Sequence, residues 1–160
     1  MGRGIAALIV LFGIAVAACG GTSPSSSAAS PSASAPAVTT TATVAVADNG
    51  KLGKILVDGS GKTLYLFAKD TSTTSTCYDA CATFWPPLLT KDAPKAGTGV
   101  NASLLGTTKR SDGTLEVTYA GHPLYYVITD HNPGDASGQA VNNFGAPWYV
   151  LGPDGKKIGG

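Results

Sequence analysis

A mainly β domain made of two repeats of about sixty residues is predicted by three observations. Residues 55–70, ILVDGSGKTLYLFAKD, lie without a gap on residues 115–130, LEVTYAGHPLYYVITD. Each copy turns through a glycine (Asp58-Gly59 in one, Ala120-Gly121 in the other) and returns as a run rich in Leu, Tyr, Phe and Val, the pattern of a hairpin. Along the first return run Leu64, Leu66 and Ala68 point to one face and Tyr65 and Phe67 to the other. With both faces apolar, the strand needs cover on both sides, which a small sandwich or a barrel-like closure provides. A half alone would expose an apolar face, so the two copies are expected to complete one core.

Residues 1–18 read as a signal: Arg3, an apolar run from Ile5 to Val16, then small residues. The run falls short of the ~20 apolar residues of a comfortable membrane span. Val16-Ala17-Ala18-Cys19 has the form of a lipobox, in which an aliphatic and two small residues precede a thiol that accepts a diacylglyceryl group. Residues 19–47 then form a tether of Ser, Ala, Pro and Thr without charge or aromatic side chains through residue 47, a composition that buries too little apolar surface to fold. Residues 48–160 are assigned to the β domain, with the copies at approximately 52–91 and 112–155.

Between the hairpins, STTSTCYDACATFW predicts one short helix near 77–84, capped by Thr76 with Asp79 three residues on, and ended by Pro86-Pro87. Trp85 with Leu88 corresponds to Trp148 with Leu151 after a three-residue difference in length, so each copy is expected to close on its own tryptophan. With Cys19 lipidated, Cys77 and Cys81 remain as a pair in an oxidising compartment, where two nearby thiols form a disulfide. At i and i+4 on an ideal helix their Cβ vectors converge poorly, so the bond calls for a distorted first turn.

Removing the signal takes Arg3 with it and leaves ten of the eleven basic residues against ten acidic ones. A neutral chain without a basic stripe excludes nucleic acid as the main partner. GSGKT at 59–63 is not a phosphate loop, because Leu56 stands where the leading glycine belongs and a strand follows it. DHNPGDASGQ departs from the spacing of a calcium loop, with Val141 at its twelfth position, and two histidines with two cysteines do not suggest a zinc site; no metal or cofactor is predicted. No Gly-x-Ser-x-Gly elbow is present and Glu116 is the only glutamate, so no catalytic residues are assigned.

Lipobox, tether, LGKILVDGSGKTLYLFAKD, TCYDACATFWPPLL, RSDGTLEVTYAGHPLYYVITDHNPGDASGQ and WYVLGPDG together resemble the bacterial lipoproteins described as secreted repeats of unknown function, which carry a Tyr-x-(Phe/Trp/Tyr)-x-x-Asp motif. The resemblance covers Leu52 to Gly155. Tyr65 to Asp70 fits the motif fully, whereas Val127 replaces the aromatic between Tyr125 and Asp130. The resemblance implies a cell-envelope location and a repeat architecture, with no defined activity.

The expected function is that of a lipid-anchored, extracytoplasmic, monomeric binding or scaffold module and not an enzyme. Its candidate binding residues are Tyr65, Phe67, Asp70, Trp85, Tyr125, Asp130 and Trp148, forming an aromatic groove between the halves for an envelope protein, a glycan, a quinone-like molecule or a peptide. An accessory redox lipoprotein using Cys77 and Cys81 is the alternative. A hydrolase is the third reading and requires Asp70, Asp130 or His131 to meet in one pocket.

Overall fold

The computed structural model describes residues 38 and 40–159. The signal, Cys19 and the tether as far as residue 37 lie outside the described residues. The strands, in chain order, are β1 (Thr43–Asp48), β2 (Lys54–Asp58), β3 (Tyr65–Phe67), β4 (Leu89–Thr90), β5 (Lys95–Ala96), β6 (Leu105–Lys109), β7 (Leu115–Tyr119), β8 (His122–Pro123), β9 (Asn142–Asn143) and β10 (Ala146–Val150). One helix, α1 (Ala80–Phe84), follows β3, and a 3-10 turn precedes β6. The fold is mainly β, as predicted, but among the described residues no barrel closes. The strands form three sheets, ordered β2-β1-β5, β3-β10-β9 and β4-β7-β6, the last with β8 added on β7.

The folded domain begins earlier than the composition suggests. Thr43 to Ala47, assigned above to the tether, belong to β1, which runs antiparallel to β2 with Val44 opposite Asp58 and Val46 opposite Leu56. Thr-Val-Ala-Val-Ala alternates and is rich in β-branched residues, which suits a strand once β2 supplies its hydrogen bonds.

The two copies are woven together rather than placed side by side. Strand β10 of the second copy pairs with β3 of the first, Trp148 opposite Phe67 and Val150 opposite Tyr65. Reciprocally, residues 84–88 of the first copy run along residues 124–128 of the second, the Leu88 amide donating to Leu124, Tyr126 to Pro86 and Ile128 to Phe84. The two ladders are repeat equivalents, for Ala68 donates to Pro147 just as Ile128 donates to Phe84. Pro86 and Pro87 lack N–H groups, so the first copy's version of β10 is not a regular strand. The hairpins also differ by one residue: Val57 faces Thr63 in the first, whereas Thr118 faces Pro123 in the second. The alignment of the copies is thus offset by 61 before the turn and by 60 after it, where the sequence suggests one gapless register.

Alternation along the strands produces two cores in place of the single one expected, and each draws on both copies. Ile55, Val57, Tyr65, Phe67, Tyr125, Val127, Trp85, Trp148 and Val150 pack with Cys77 and Cys81 on one side. Leu56, Leu64, Leu66, Leu88, Val117, Tyr119, Leu124 and Leu151 pack with Val44 on the other. The tryptophans do not close separate halves; their rings stack parallel at 4.0 Å. Tyr65 meets Trp85 edge-on at 5.4 Å and Tyr125 meets Trp148 in the same way at 5.1 Å.

Helix α1 is shorter than predicted. Thr76 does not cap it; Asp79 does so positionally, at φ 52 and without a side-chain hydrogen bond. Cys77 therefore precedes the helix, and the break at Asp79 is the distortion that joins Cys77 to Cys81 in a disulfide with Cα atoms 5.2 Å apart.

Gly138 lies directly against the tryptophan stack. A Cβ there would sit 2.6 Å from Trp85 Cη2 and 2.9 Å from Tyr65 Cε1. Gly138→Ala is expected to destabilise the protein by about 1–3 kcal/mol through overpacking. The urea midpoint measures this, and an unchanged midpoint would show that the ring stack yields freely.

Candidate functional site

The seven residues proposed for binding are brought together, but inside the protein. Tyr65, Trp85, Tyr125 and Trp148 are fully buried, Phe67 and Asp70 nearly so, and Asp130 is only 5% exposed. The open aromatic groove expected between the halves is therefore filled by its own side chains. Each aromatic finds a complementary ring or backbone in the other copy, and burial against it is more favourable than exposure to water.

These residues form a reciprocal lock. The Tyr65 amide donates to the Tyr125 carbonyl and the Tyr125 amide to the Tyr65 carbonyl, both at 2.9 Å. The Tyr65 hydroxyl donates to Asp130 at 2.5 Å and the Tyr125 hydroxyl to Asp70 at 2.6 Å, so each motif tyrosine serves the motif aspartate of the other copy. The remaining oxygen of each aspartate is also engaged: Asp70 accepts from the Thr76 amide and hydroxyl, Asp130 from the Ser137 amide and hydroxyl. Burial, then the adjoining carboxylate, pushes the Tyr65 phenol well above its usual range; burial likewise raises Tyr125, together with the charges of Glu116 and Asp70. Both phenols therefore stay protonated and act as donors.

On one side the lock extends into a buried charged network absent from the sequence reading. With its proton committed to Asp70, the Tyr125 hydroxyl accepts from Ser75 at 2.7 Å. Arg110 donates to Ser75 and to Glu116, each at 2.6 Å, and to the Cys77 carbonyl at 2.7 Å. Its guanidinium also lies 4.4 Å from the centre of the Tyr78 ring. Arg110 Nε and Glu116 Oε1 are buried without hydrogen-bond partners. Burial pushes the Glu116 carboxyl up to about 7, with Arg110 pulling the other way. A signal was present in the sequence: Arg110 is the only arginine beyond the signal and Glu116 the only glutamate, six residues apart across a Ser-Asp-Gly turn.

Two of the grooves open to solvent are made by the same weave. One, of about 610 Å³, runs between the first hairpin turn, with Asp58, Ser60 and Lys62, and the second copy's Tyr126, Val127, Ile128 and Asp130, with Pro86 and His131 beside them. The other, of about 580 Å³, runs between His122 of the second hairpin and the first copy's Leu66, Phe67, Ala68 and Asp70, with Gly155, Lys156 and Lys157 at its rim. Lys62 and His122 are repeat partners, as are residues 126, 127, 128 and 130 with 66, 67, 68 and 70. Each groove is thus a composite of both copies. Their polar groups have diverged: Asp58, which accepts from the Tyr126 hydroxyl at 2.9 Å, has no counterpart in the second groove, whose rim is basic. Burial raises Asp58, but hydrogen bonds from Ser60, Lys62 and Tyr126 prevail and hold it below the usual carboxylate range, so it is charged.

Asp130 and His131 thus share one groove while Asp70 borders the other, and the three do not meet in one pocket. Both oxygens of each aspartate accept hydrogen bonds from the surrounding side chains and backbone. Among the described residues no group of three or more His, Cys, Asp or Glu converges as a metal site, and no helix is long and apolar enough to cross a membrane.

The two-copy organisation agrees with comparison to known proteins. A family model described as a secreted repeat of unknown function matches residues 46–89 and 106–151. Neither a curated protein nor a solved structure matches the chain.

Proposed function

The chain belongs to the family of secreted repeats of unknown function, and from that premise we propose that it is a lipid-anchored, non-catalytic binding or scaffold module of the cell envelope. The observation that carries this reading is the pair of composite grooves. They are the places where the lock leaves apolar and charged groups side by side at the surface, as small-molecule and peptide sites do. Of the motif residues, Asp130 lines the first groove and Phe67 and Asp70 the second. Ile128, one of two large hydrophobic side chains exposed among the described residues, lies 49% exposed in the first groove. The lipobox at Cys19 supports attachment to the membrane, with the acyl chains providing affinity at ~0.8 kcal/mol per buried CH₂.

Two measurements on the full chain test this reading. Metabolic labelling with an alkyne fatty acid should mark the wild type and not Cys19→Ser, and the variant should leave the membrane fraction. A photo-crosslinking residue at Ile128 or Ala68 should then give a discrete adduct in cells, whereas one at exposed Ser103, which lines neither groove, should not. An unlabelled wild type overturns the anchor, and equal crosslinking at all three positions overturns the grooves as the binding surface.

A further inference from the structure

We propose that the Cys77–Cys81 disulfide is a substrate for a dithiol reductant, and that its reduction releases one half of the lock between the copies while leaving the other half closed. The two halves share the tyrosine–aspartate pairing and the hydroxyl residue that binds each aspartate, and they differ at the residue that follows it. In the second copy, Ser137 binds Asp130 and is followed by Gly138, whose amide points at the Tyr65 hydroxyl at 3.3 Å. In the first copy, Thr76 binds Asp70 in the same way and is followed by Cys77. The position that carries glycine in one copy thus carries the crosslink in the other.

The crosslink holds the segment on which the network depends. Ser75 joins Tyr125 to Arg110, Thr76 caps Asp70, and the Cys77 carbonyl takes the second Arg110 nitrogen. Three consecutive residues therefore satisfy a buried tyrosine, an aspartate and an arginine. On their C-terminal side they lead through the positive φ of Asp79 into α1 at Ala80, the Tyr78 carbonyl accepting from the Cys81 and Ala82 amides and the Tyr78 hydroxyl from the Ser111 amide. Without the disulfide, the side-chain tie from Cys77 to α1 is lost, and what joins residues 75–79 to the helix is the chain itself with the bonds that the Tyr78 and Asp79 carbonyls accept from the Cys81, Ala82 and Thr83 amides. Arg110 and Glu116 already have one unpartnered buried atom each, so loss of Ser75 and the Cys77 carbonyl leaves the pair poorly satisfied.

The two cysteines are unequally exposed. Cys77 is fully buried and Cys81 is 8% exposed, which directs an incoming thiolate to the Cys81 sulfur. The S–S bond breaks, Cys77 leaves as a thiolate and takes up a proton, and the reductant is held as a mixed disulfide on Cys81. The second thiol of the reductant displaces Cys81, which is protonated in turn. Two electrons and two protons pass to the protein, and the reductant becomes a disulfide.

The test is hydrogen exchange on the folded full chain in native buffer, before and after treatment with reduced thioredoxin or dithiothreitol, with free thiols counted in parallel. Reduction should speed exchange at the Thr76 and Trp85 amides by about 30-fold, the entropy equivalent of a five-residue loop, and leave the Ser137 and Gly138 amides within about threefold of their starting rates. Cys77→Ala/Cys81→Ala should show the oxidant-independent version of the same pattern. If the double variant fails to fold, the reduced wild type decides. Equal acceleration at Thr76 and Ser137, or no acceleration, overturns the latch. A disulfide that opens only in denaturant overturns the reductant's access to it.

Discussion

Arg110→Ala is expected to cost about 3–5 kcal/mol of folding stability, the range for breaking one side of a buried ion pair. The substitution leaves Glu116 fully buried and removes donors from Ser75 and the Cys77 carbonyl as well. Glu116 also sets a pH signature. Its carboxyl sits at about 7 in the folded protein and at 4.5 as its ordinary value. Between those values the folded state keeps a proton that the unfolded state has released, so stability falls as pH rises from about 4.5 to about 7. Glu116→Gln should flatten that slope, and the penalty of Arg110→Ala should be larger above about pH 7 than near pH 5, where the orphaned carboxyl is neutral. Urea midpoints across this range measure all three. A slope that survives Glu116→Gln would assign the pH dependence to another group.

Trp148→Ala is the second large effect, about 3–5 kcal/mol for an aromatic removed from a packed core. Trp148 is flanked on both faces, by Trp85 and by Phe67 at 4.0 Å each, and meets Tyr125 edge-on. The loss is large against the ~5–15 kcal/mol of a typical domain. Trp85→Ala should cost a similar amount and the double variant less than the sum, because the two rings share one contact. Near-UV circular dichroism and denaturation read the outcome; strict additivity would mean that the stack contributes no coupling.

The duplication, the hairpin turns, the two-faced return strands and the helix were legible because each is local, written in periodicity and in Gly or Pro. Membership of β1 was not, because Thr43–Ala47 has the composition of the tether and becomes a strand only by pairing with β2. Nor was the direction of the pairing. Aligning Tyr65 with Tyr125 shows that they are equivalent, but not that each bonds the aspartate of the other copy. For the same reason the aromatics looked like a surface: a sequence shows that Trp85 and Trp148 are large and apolar, and only their mutual stacking decides that neither meets water. The grooves depend on Lys62 and His122, ordinary turn residues whose shared offset was visible but whose cross-copy placement was not.

The exchange of bonds between Tyr65–Asp130 and Tyr125–Asp70 obeys the rule of an isologous contact, in which i meets j and j meets i. The two copies within one chain thus face each other as the protomers of a homodimer do. Either half of a second molecule presents the same partners as the half already attached, so domain swapping would restore each of these bonds. The covalent connection favours pairing within one chain over swapping, because it raises the effective concentration of each half for the other.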